Sequence, residues 1–196
     1  MTPTGPITPS SPSLTAFEGQ TRIASGLPAD VALAVRLVLA GGGQASVLIF
    51  DDATGRQIDL DLRGSDEEIR ARYGPGEETA APRRPGRPKL GVVAREVTLL
   101  PRHWEWLNSQ PGGASVALRR LVEEARRANA SKDEVRLARE AAYRFMTAMA
   151  GNEPGYEEAA RALFAGDGAK FNLLTGGWPD DIRDHARKLA GSSFGA

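Results

Sequence analysis

A run of basic residues in the middle of the chain has the clearest chemical implication. Residues 83–131 hold ten basic and four acidic side chains, whereas residues 50–82 hold four basic and nine acidic ones. Clustered arginines and lysines bind polyanions, because they neutralise phosphates and release counterions. The sequence therefore predicts an anion-binding region. The alternative is that the basic and acidic segments neutralise each other on the protein surface.

The start of the basic region has the composition of an extended DNA-binding element. Residues 83–89 are Arg-Arg-Pro-Gly-Arg-Pro-Lys, in which the prolines fix an extended path. This segment resembles the AT-hook, which inserts arginine into the narrow, strongly negative minor groove of A·T-rich DNA. The resemblance implies DNA contacts from Arg84, Arg87 and Lys89. The alternative is a basic, solvated linker.

The residues that follow suggest a second DNA-binding element. A strand is predicted over 92–100, a short helix over 101–110 and, after a Pro-Gly-Gly turn, a helix over 116–129 capped by Ser115. Residues 93–127 resemble the ribbon–helix–helix family, in which two chains pair strands into a ribbon that enters the major groove. In that family, the start of the second helix holds a phosphate.

The resemblance implies double-stranded DNA and a second copy of the chain as partners. The implied DNA contacts are Arg95, Thr98, Arg102, Ser115, Arg119 and Arg120. The alternation leaves open which strand face is dry, that of Val97 and Leu99 or that of Thr98 and Leu100. The alternative is an internal strand–helix–helix packed within a larger core.

Two tryptophans lie two residues apart in the predicted short helix. Trp104 and Trp106 must occupy different faces of that helix. We therefore expect one of them in the core and the other at the rim, where it contacts a partner. Both are predicted interface residues.

The remaining chemistry-bearing residues do not form a recognisable catalytic or metal site. Cysteine is absent and there are two histidines, His103 and His185. Asp181 and His185 share a helix face, but two ligands rarely hold a divalent ion, and acids at a helix start are favoured by its dipole. We expect no catalytic residue, metal or cofactor. A deep pocket holding either histidine beside a carboxylate of raised pKa would instead indicate an enzyme.

Composition predicts a globular chain. The chain has 196 residues, of which 41% are hydrophobic, and the formal net charge is zero. It contains no apolar run of about 18 residues and no basic start followed by an apolar stretch, so we expect no membrane partner and a cytoplasmic protein. The acidic residues Asp51, Asp52, Asp59 and Asp61 are expected to be solvated.

The element pattern predicts an α+β fold in two modules. The expected organisation is a disordered tail (1–14), an α+β module (15–73), a Pro/Gly-rich linker (74–91), a strand–helix–helix plus helical module (92–190) and a tail (191–196). The first module should hold a strand (15–24), a helix (27–40), a hairpin (45–50 with 58–62) and a helix opened by a capping box at Ser65. Further helices are predicted over 131–150, 156–164 and 179–190.

Four longer phrases of the sequence resemble one bacterial family. They are residues 47–56 (VLIFDDATGR), 59–64 (DLDLRG), 86–104 (GRPKLGVVAREVTLLPRHW) and 157–167 (EEAARALFAGD). The chain is similar to the family filed as domain of unknown function 2239 from about residue 16 to 190. The resemblance implies no activity.

These observations support three functional hypotheses. The first is a DNA-associated homodimer that acts as a transcriptional regulator, with residues 83–127 as its contact region. The second is a protein-interaction or regulatory module whose basic stretch docks on an acidic partner or on residues 51–78 of its own chain. The third is a small-molecule enzyme.

Overall fold

The N-terminal residues form a four-stranded antiparallel sheet. The computed structural model describes residues 12–42, 45–74, 93 and 95–194. The strands are β1 (Leu14–Glu18), β2 (Thr21–Gly26), β3 (Val47–Asp51) and β4 (Gln57–Ile58), in the order β2-β1-β3-β4. The single strand predicted over 15–24 is a hairpin, because Gly19 takes a left-handed turn (φ 57°) between β1 and β2. The predicted hairpin of β3 and β4 is confirmed, although β4 ends at Ile58.

Helices account for most of the remaining described residues. They are α1 (Pro28–Ala40), α2 (Asp66–Tyr73), α3 (Pro101–Ser109), α4 (Gly113–Met149), α5 (Tyr156–Ala165), α6 (Gly168–Leu174) and α7 (Asp180–Ala190). The predicted starts of α1, with Pro28 in its first turn, and of α2 are confirmed. At α2, Ser65 N–H donates to Glu68 Oε2 (2.7 Å), and Glu68 N–H donates to Ser65 Oγ (3.3 Å). Helix α6 was not predicted; Asp167 caps it by accepting from Lys170 N–H.

Two predictions about secondary structure are wrong. The helices predicted over 116–129 and 131–150 are one helix, α4, because Asn-Ala-Ser at 129–131 contains neither proline nor glycine to end it. No strand forms in the described residues of the segment 92–100, which are 93 and 95–100. A strand needs a neighbour for its backbone hydrogen bonds, and the described sheet does not include this segment.

The chain divides into two compact units. Unit 1 comprises Met1–Glu77 and Glu134–Ala196, and unit 2 comprises Glu78–Asp133. These boundaries differ from those of the predicted modules, because residues after 134 pack with the N-terminal sheet. In unit 1, the ring of Phe145 from α4 lies 5.4 Å from Phe17 and 5.0 Å from Phe50, both on the sheet.

Apolar side chains cover both faces of the sheet in unit 1. Leu14 and Ala16 of β1 form an apolar cluster with Val31 and Val35 of α1. Phe17 belongs to a second cluster, which includes residues of α4, α5, α6 and α7. Because successive strand side chains point to opposite faces, β1 is buried along almost its whole length.

Candidate nucleic-acid interface

The described part of unit 2 is an extended segment followed by two helices. Leu100 is extended (φ −65°, ψ 149°) and Pro101 begins α3, since proline is tolerated in a first helical turn. Gly112 (φ 84°) and Gly113 (φ 73°) make a left-handed turn into α4. A Cβ on Gly112 would lie 3.1–3.2 Å from the side chain of Val116. A side chain at Gly112 would therefore crowd the first turn of α4 as well as strain the backbone.

Helices α3 and α4 and the segment before them enclose an apolar groove. Its volume is about 260 Å³ and its lining is Leu99, His103, Trp106, Leu107, Leu118 and Leu121. Within the described residues 93 and 95–133, Leu107 and Ala117 are the side chains that are buried. The groove is therefore open rather than filled by the unit's own residues.

Many large apolar side chains of unit 2 remain exposed. They are Val93, Val97, Leu100, Trp104, Trp106, Val116, Leu121 and Val122. Trp104 is 37% exposed and Trp106 is 49% exposed, so the expectation that one tryptophan is in the core is wrong. A nine-residue helix packed along one side through Leu107 has no second layer to bury either ring. Exposed apolar side chains around a groove, as at Trp106 and Leu121, are typical of an interaction site.

The predicted DNA-contacting cations of the described part of unit 2 fall into two groups. Arg95, Arg102 and Arg119 are exposed, and within the described ranges none of these three has an ion pair or hydrogen bond. Arg120 lies 3.8 Å from Glu124 on the next turn of α4, a surface pair of little energetic value. The predicted contacts Arg84, Arg87 and Lys89 lie outside the described residues.

Further along α4, the basic side chains are matched by an acid of the same helix. Arg126 and Arg127 lie 2.9 and 3.3 Å from Glu123. The hydrogen bond from Arg126, with the positive charges of both arginines, holds the pKa of Glu123 below its ordinary value. Within the described part of unit 2, the cations without an ion pair are therefore Arg95, Arg102, Arg119 and Lys132.

The helices of unit 2 begin without acidic residues. Neither α3 nor α4 has an acid in its first turn, whereas α1, α2, α5 and α7 each have at least one. An acid there normally compensates the free N–H groups and positive dipole end of a helix. Arg102 instead adds a positive charge to the first turn of α3. At α3, however, Pro101 has no N–H and both His103 and Trp104 donate to the Leu100 carbonyl, so among residues 101–104 the N–H of Arg102 alone is left for an external anion.

Ser115 occupies a different position from the predicted one. Because α4 begins at Gly113, Ser115 is exposed inside the first turn and is not the cap. The backbone N–H groups of a first turn have no acceptor within the helix. Ser115 therefore lies within the first turn of α4, and its contact with phosphate stays a prediction.

The acidic residues of the segment 51–78 are largely engaged within unit 1. Arg63 donates to both carboxylate oxygens of Asp61 (2.8 and 2.9 Å), and these hydrogen bonds hold the pKa of Asp61 well below its ordinary value. Asp66 pairs with Arg36, and Glu68 belongs to the capping box of α2. These acids stabilise local structure, so they have a role apart from neutralising the basic region.

Unit 1 contains a buried polar cluster that the sequence did not predict. Asp52, expected to be solvated, has a side chain only 9% exposed. It accepts hydrogen bonds from Ser13 (2.9 Å), Thr15 (2.8 Å) and Lys188 (2.8 Å). Its Oδ1 lies 3.5 Å from Nε2 of His185, which is fully buried on α7.

His185 is held as a neutral ring among aromatic side chains. The rings of Phe17 and Phe145 lie 5.5 and 4.6 Å from it, and neither imidazole nitrogen makes a hydrogen bond. Burial lowers the pKa of His185 to about 4, against the opposing effect of the nearby Asp52 carboxylate. The sequence contained one signal for the burial of His185. The helical spacing of Ile182, His185 and Leu189 places the histidine on the buried face of α7.

The geometry does not favour catalysis at either histidine. The groove that contains His103 has no carboxylate in its lining, and the buried ring of His185 has no solvent access. Asp181, the residue paired with His185 by spacing, instead accepts from the backbone N–H of Arg22 (2.9 Å). In the part of the chain that the structure describes, no group of three His, Asp or Glu residues is arranged to hold a metal ion.

No described helix combines the length and apolar composition needed to span a bilayer.

Comparisons with known proteins place the chain in a family without adding an activity. No curated protein and no solved structure matches it. One family model, described as an uncharacterized protein conserved in bacteria (DUF2239), matches residues 13–190. That match includes both compact units and nearly all of the described residues. The chain therefore belongs to the DUF2239 family of bacterial proteins.

Proposed function

We propose that this protein is a DNA-associated homodimer that contacts duplex DNA through residues 83–127. The observation that carries the proposal is the combination found in unit 2, where unpaired cations lie beside uncovered apolar side chains. Arg95, Arg102 and Arg119 have no acidic partner in the described ranges, and the groove between α3 and α4 is open. Polyanion binding accounts for the cations, and a second copy of the chain accounts for the groove.

Electrostatics supports DNA as the polyanion. In unit 1, some arginines stabilise the structure by pairing with acids, as Arg63 does with Asp61. In unit 2, the cations nearest the two helix starts are left unpaired, and those helix starts also lack acids. Free N–H groups, dipole ends and guanidinium groups all favour phosphate.

The extended segment supports a dimer. Residues 95–99 lie outside the described sheet, so their backbone groups are available to a partner strand, whereas the Leu100 carbonyl already accepts from His103 and Trp104. Pairing with the same segment of a second copy would satisfy these groups and cover Val97. The described part of unit 2 buries only Leu107 and Ala117, so its own core contributes little stability. A second copy would supply the missing apolar contacts.

Fluorescence polarisation with a labelled duplex tests DNA binding. The full chain should bind with an affinity that falls by about 0.9 log units per log unit of salt for each phosphate neutralised. The double variant Arg102→Ala, Arg119→Ala should bind more weakly and show a shallower salt dependence. Lys170→Ala, an exposed cation of unit 1, is the matched control and should behave as the wild type. Absence of binding at low salt, or equal loss in the control, would refute DNA binding.

Analytical ultracentrifugation tests the dimer separately. Val97→Asp and Leu121→Asp should shift the protein towards monomer, because each places a charge on the apolar face. Leu173→Asp is the control, since Leu173 is 80% exposed on α6 of unit 1. A monomeric wild type, or dimers unaffected by both unit 2 variants, would refute the proposed dimer.

A protein-interaction module is the second candidate, favoured by the exposed indoles of Trp104 and Trp106. Tryptophan is enriched in binding hot spots, and both rings lie in the unit with the open groove. A monomeric protein that does not bind DNA, but whose tryptophan fluorescence changes with an acidic partner protein, would favour this function over the first. Trp104→Ala and Trp106→Ala would then weaken the association.

A further inference from the structure

The apolar groove of unit 2 contains one titratable side chain, that of His103 on α3. Its side chain lines the groove and is exposed. The other lining residues come from the segment before α3, from α3 and from α4; they are Leu99, Trp106, Leu107, Leu118 and Leu121. Among the described residues, none of these three elements contributes a carboxylate, an amine or a guanidinium to the lining. His103 is therefore the lining residue whose charge can change with pH.

The charged residues of the same three elements lie beside the lining and not in it. All are exposed, and those nearest His103 and the other lining residues in sequence are Arg95 and Glu96 in the segment, Arg102 and Glu105 on α3, and Arg119 and Arg120 on α4. Within the described ranges, the imidazole of His103 makes no hydrogen bond and no ion pair. A protonated ring would therefore have no anionic partner inside the groove.

We infer that His103 makes dimer formation sensitive to pH, with the dimer favoured when the imidazole is neutral. The inference rests on the proposed function, in which a second copy of the chain covers the groove, and it deepens that function by naming its regulation. Histidine is the side chain that ordinarily changes charge between pH 5 and 8. A neutral imidazole can enter an apolar interface, whereas an imidazolium loses its hydration there without gaining an anion from the lining.

Two-fold symmetry brings two such histidines into one interface. In a symmetric homodimer both protomers contribute the same surface, so both copies of His103 are covered on association. The monomer then binds protons more tightly than the dimer, and acid favours the monomer. Because two protons are released on association, the dissociation constant should rise by up to about 100-fold for each pH unit in the acidic range.

Sedimentation velocity at a series of protein concentrations, without DNA, measures the dissociation constant of the dimer at pH 7.5 and at pH 5.5. For the wild type it should be about 100-fold higher at the lower pH. For His103→Gln, whose side chain stays neutral, it should differ by less than about 3-fold. His103→Lys keeps its charge at both pH values, so it should dimerise as weakly at pH 7.5 as the wild type does at pH 5.5. All three proteins retain His185, so its titration affects them alike.

The matched control is Glu105→Gln, which removes an exposed titratable group of α3 that does not line the groove. It should keep the pH dependence of the wild type. If the wild-type dissociation constant is the same at both pH values, or if His103→Gln keeps the wild-type pH dependence, the role of His103 is overturned while the dimer stands. If the wild type is monomeric at pH 7.5, the proposed dimer fails and the role of His103 fails with it.

Discussion

Acidification should destabilise unit 1 through a single buried side chain, His185. The folded state holds His185 neutral with a pKa of about 4, whereas an unfolded chain binds a proton at about 6.5. Above pH 6.5 the ring is neutral in both states and makes no pH-dependent contribution. As the pH falls from 6.5 to 4, only the unfolded state gains the proton, so the free energy of unfolding falls.

The expected loss is about 3 kcal/mol between pH 7 and pH 4, because each pKa unit corresponds to about 1.4 kcal/mol. Its cause is desolvation in a pocket formed with Phe17 and Phe145. The nearby charges are those of Asp52, which favours the proton, and of Lys188 and Arg22, which oppose it. Desolvation outweighs the attraction of Asp52.

Urea unfolding measures the pH-dependent contribution of His185 to the free energy of unfolding. The wild type and His185→Leu are compared at a series of pH values, and unfolding is followed by circular dichroism. The difference in unfolding free energy between the two proteins cancels the contribution of the titrating groups that do not interact with His185. That difference should fall by about 3 kcal/mol between pH 7 and pH 4. His185→Gln provides a second non-titrating variant. A difference that stays constant with pH, for either variant, would refute the assignment of a buried neutral ring.

Three further predictions concern the stability of unit 1 and are checked by the same urea titrations at neutral pH. Gly55→Ala should destabilise unit 1 strongly, since the new Cβ would lie 1.9 Å from a backbone oxygen of α4. Gly42 has a similar φ but open space around it, so Gly42→Ala should lower the free energy of unfolding by only about 1 kcal/mol. Equal losses would contradict the close approach. Ser65→Ala should cost about 1 kcal/mol through loss of the capping box, and a neutral result would count against it. Phe145→Ala should lower the free energy of unfolding by about 3–5 kcal/mol, because Phe145 is fully buried. Leu173→Ala on the surface should change it by less than about 0.5 kcal/mol. Similar losses for the two variants would contradict the placement of Phe145 in the core.

Local chemistry was sufficient to predict several elements from the sequence. The capping residues of α2, the proline in the first turn of α1 and the acidic turn between β3 and β4 act within a few residues of themselves. In that turn, Asp51 accepts from the backbone N–H groups of Ala53 and Thr54, as its composition implied. The α+β fold class followed from the same local patterns.

Pairing between distant residues could not be predicted in this way. The inner position of β1 in the sheet depends on β3, in which Val47 to Asp51 pair with Glu18 to Leu14. The burial of Asp52 likewise depends on Lys188 and His185, which are more than 130 residues along the chain. Sequence spacing contains no record of such contacts.

The candidate interface shows the same division. By itself, the sequence determined that cations are concentrated between residues 83 and 131. Only the tertiary structure decided that Leu99 enters the groove and that Arg119 has no partner in the described ranges. The physical reason is that charge and period are properties of the chain, whereas burial and ion pairing depend on which groups folding brings within a few ångströms of each other.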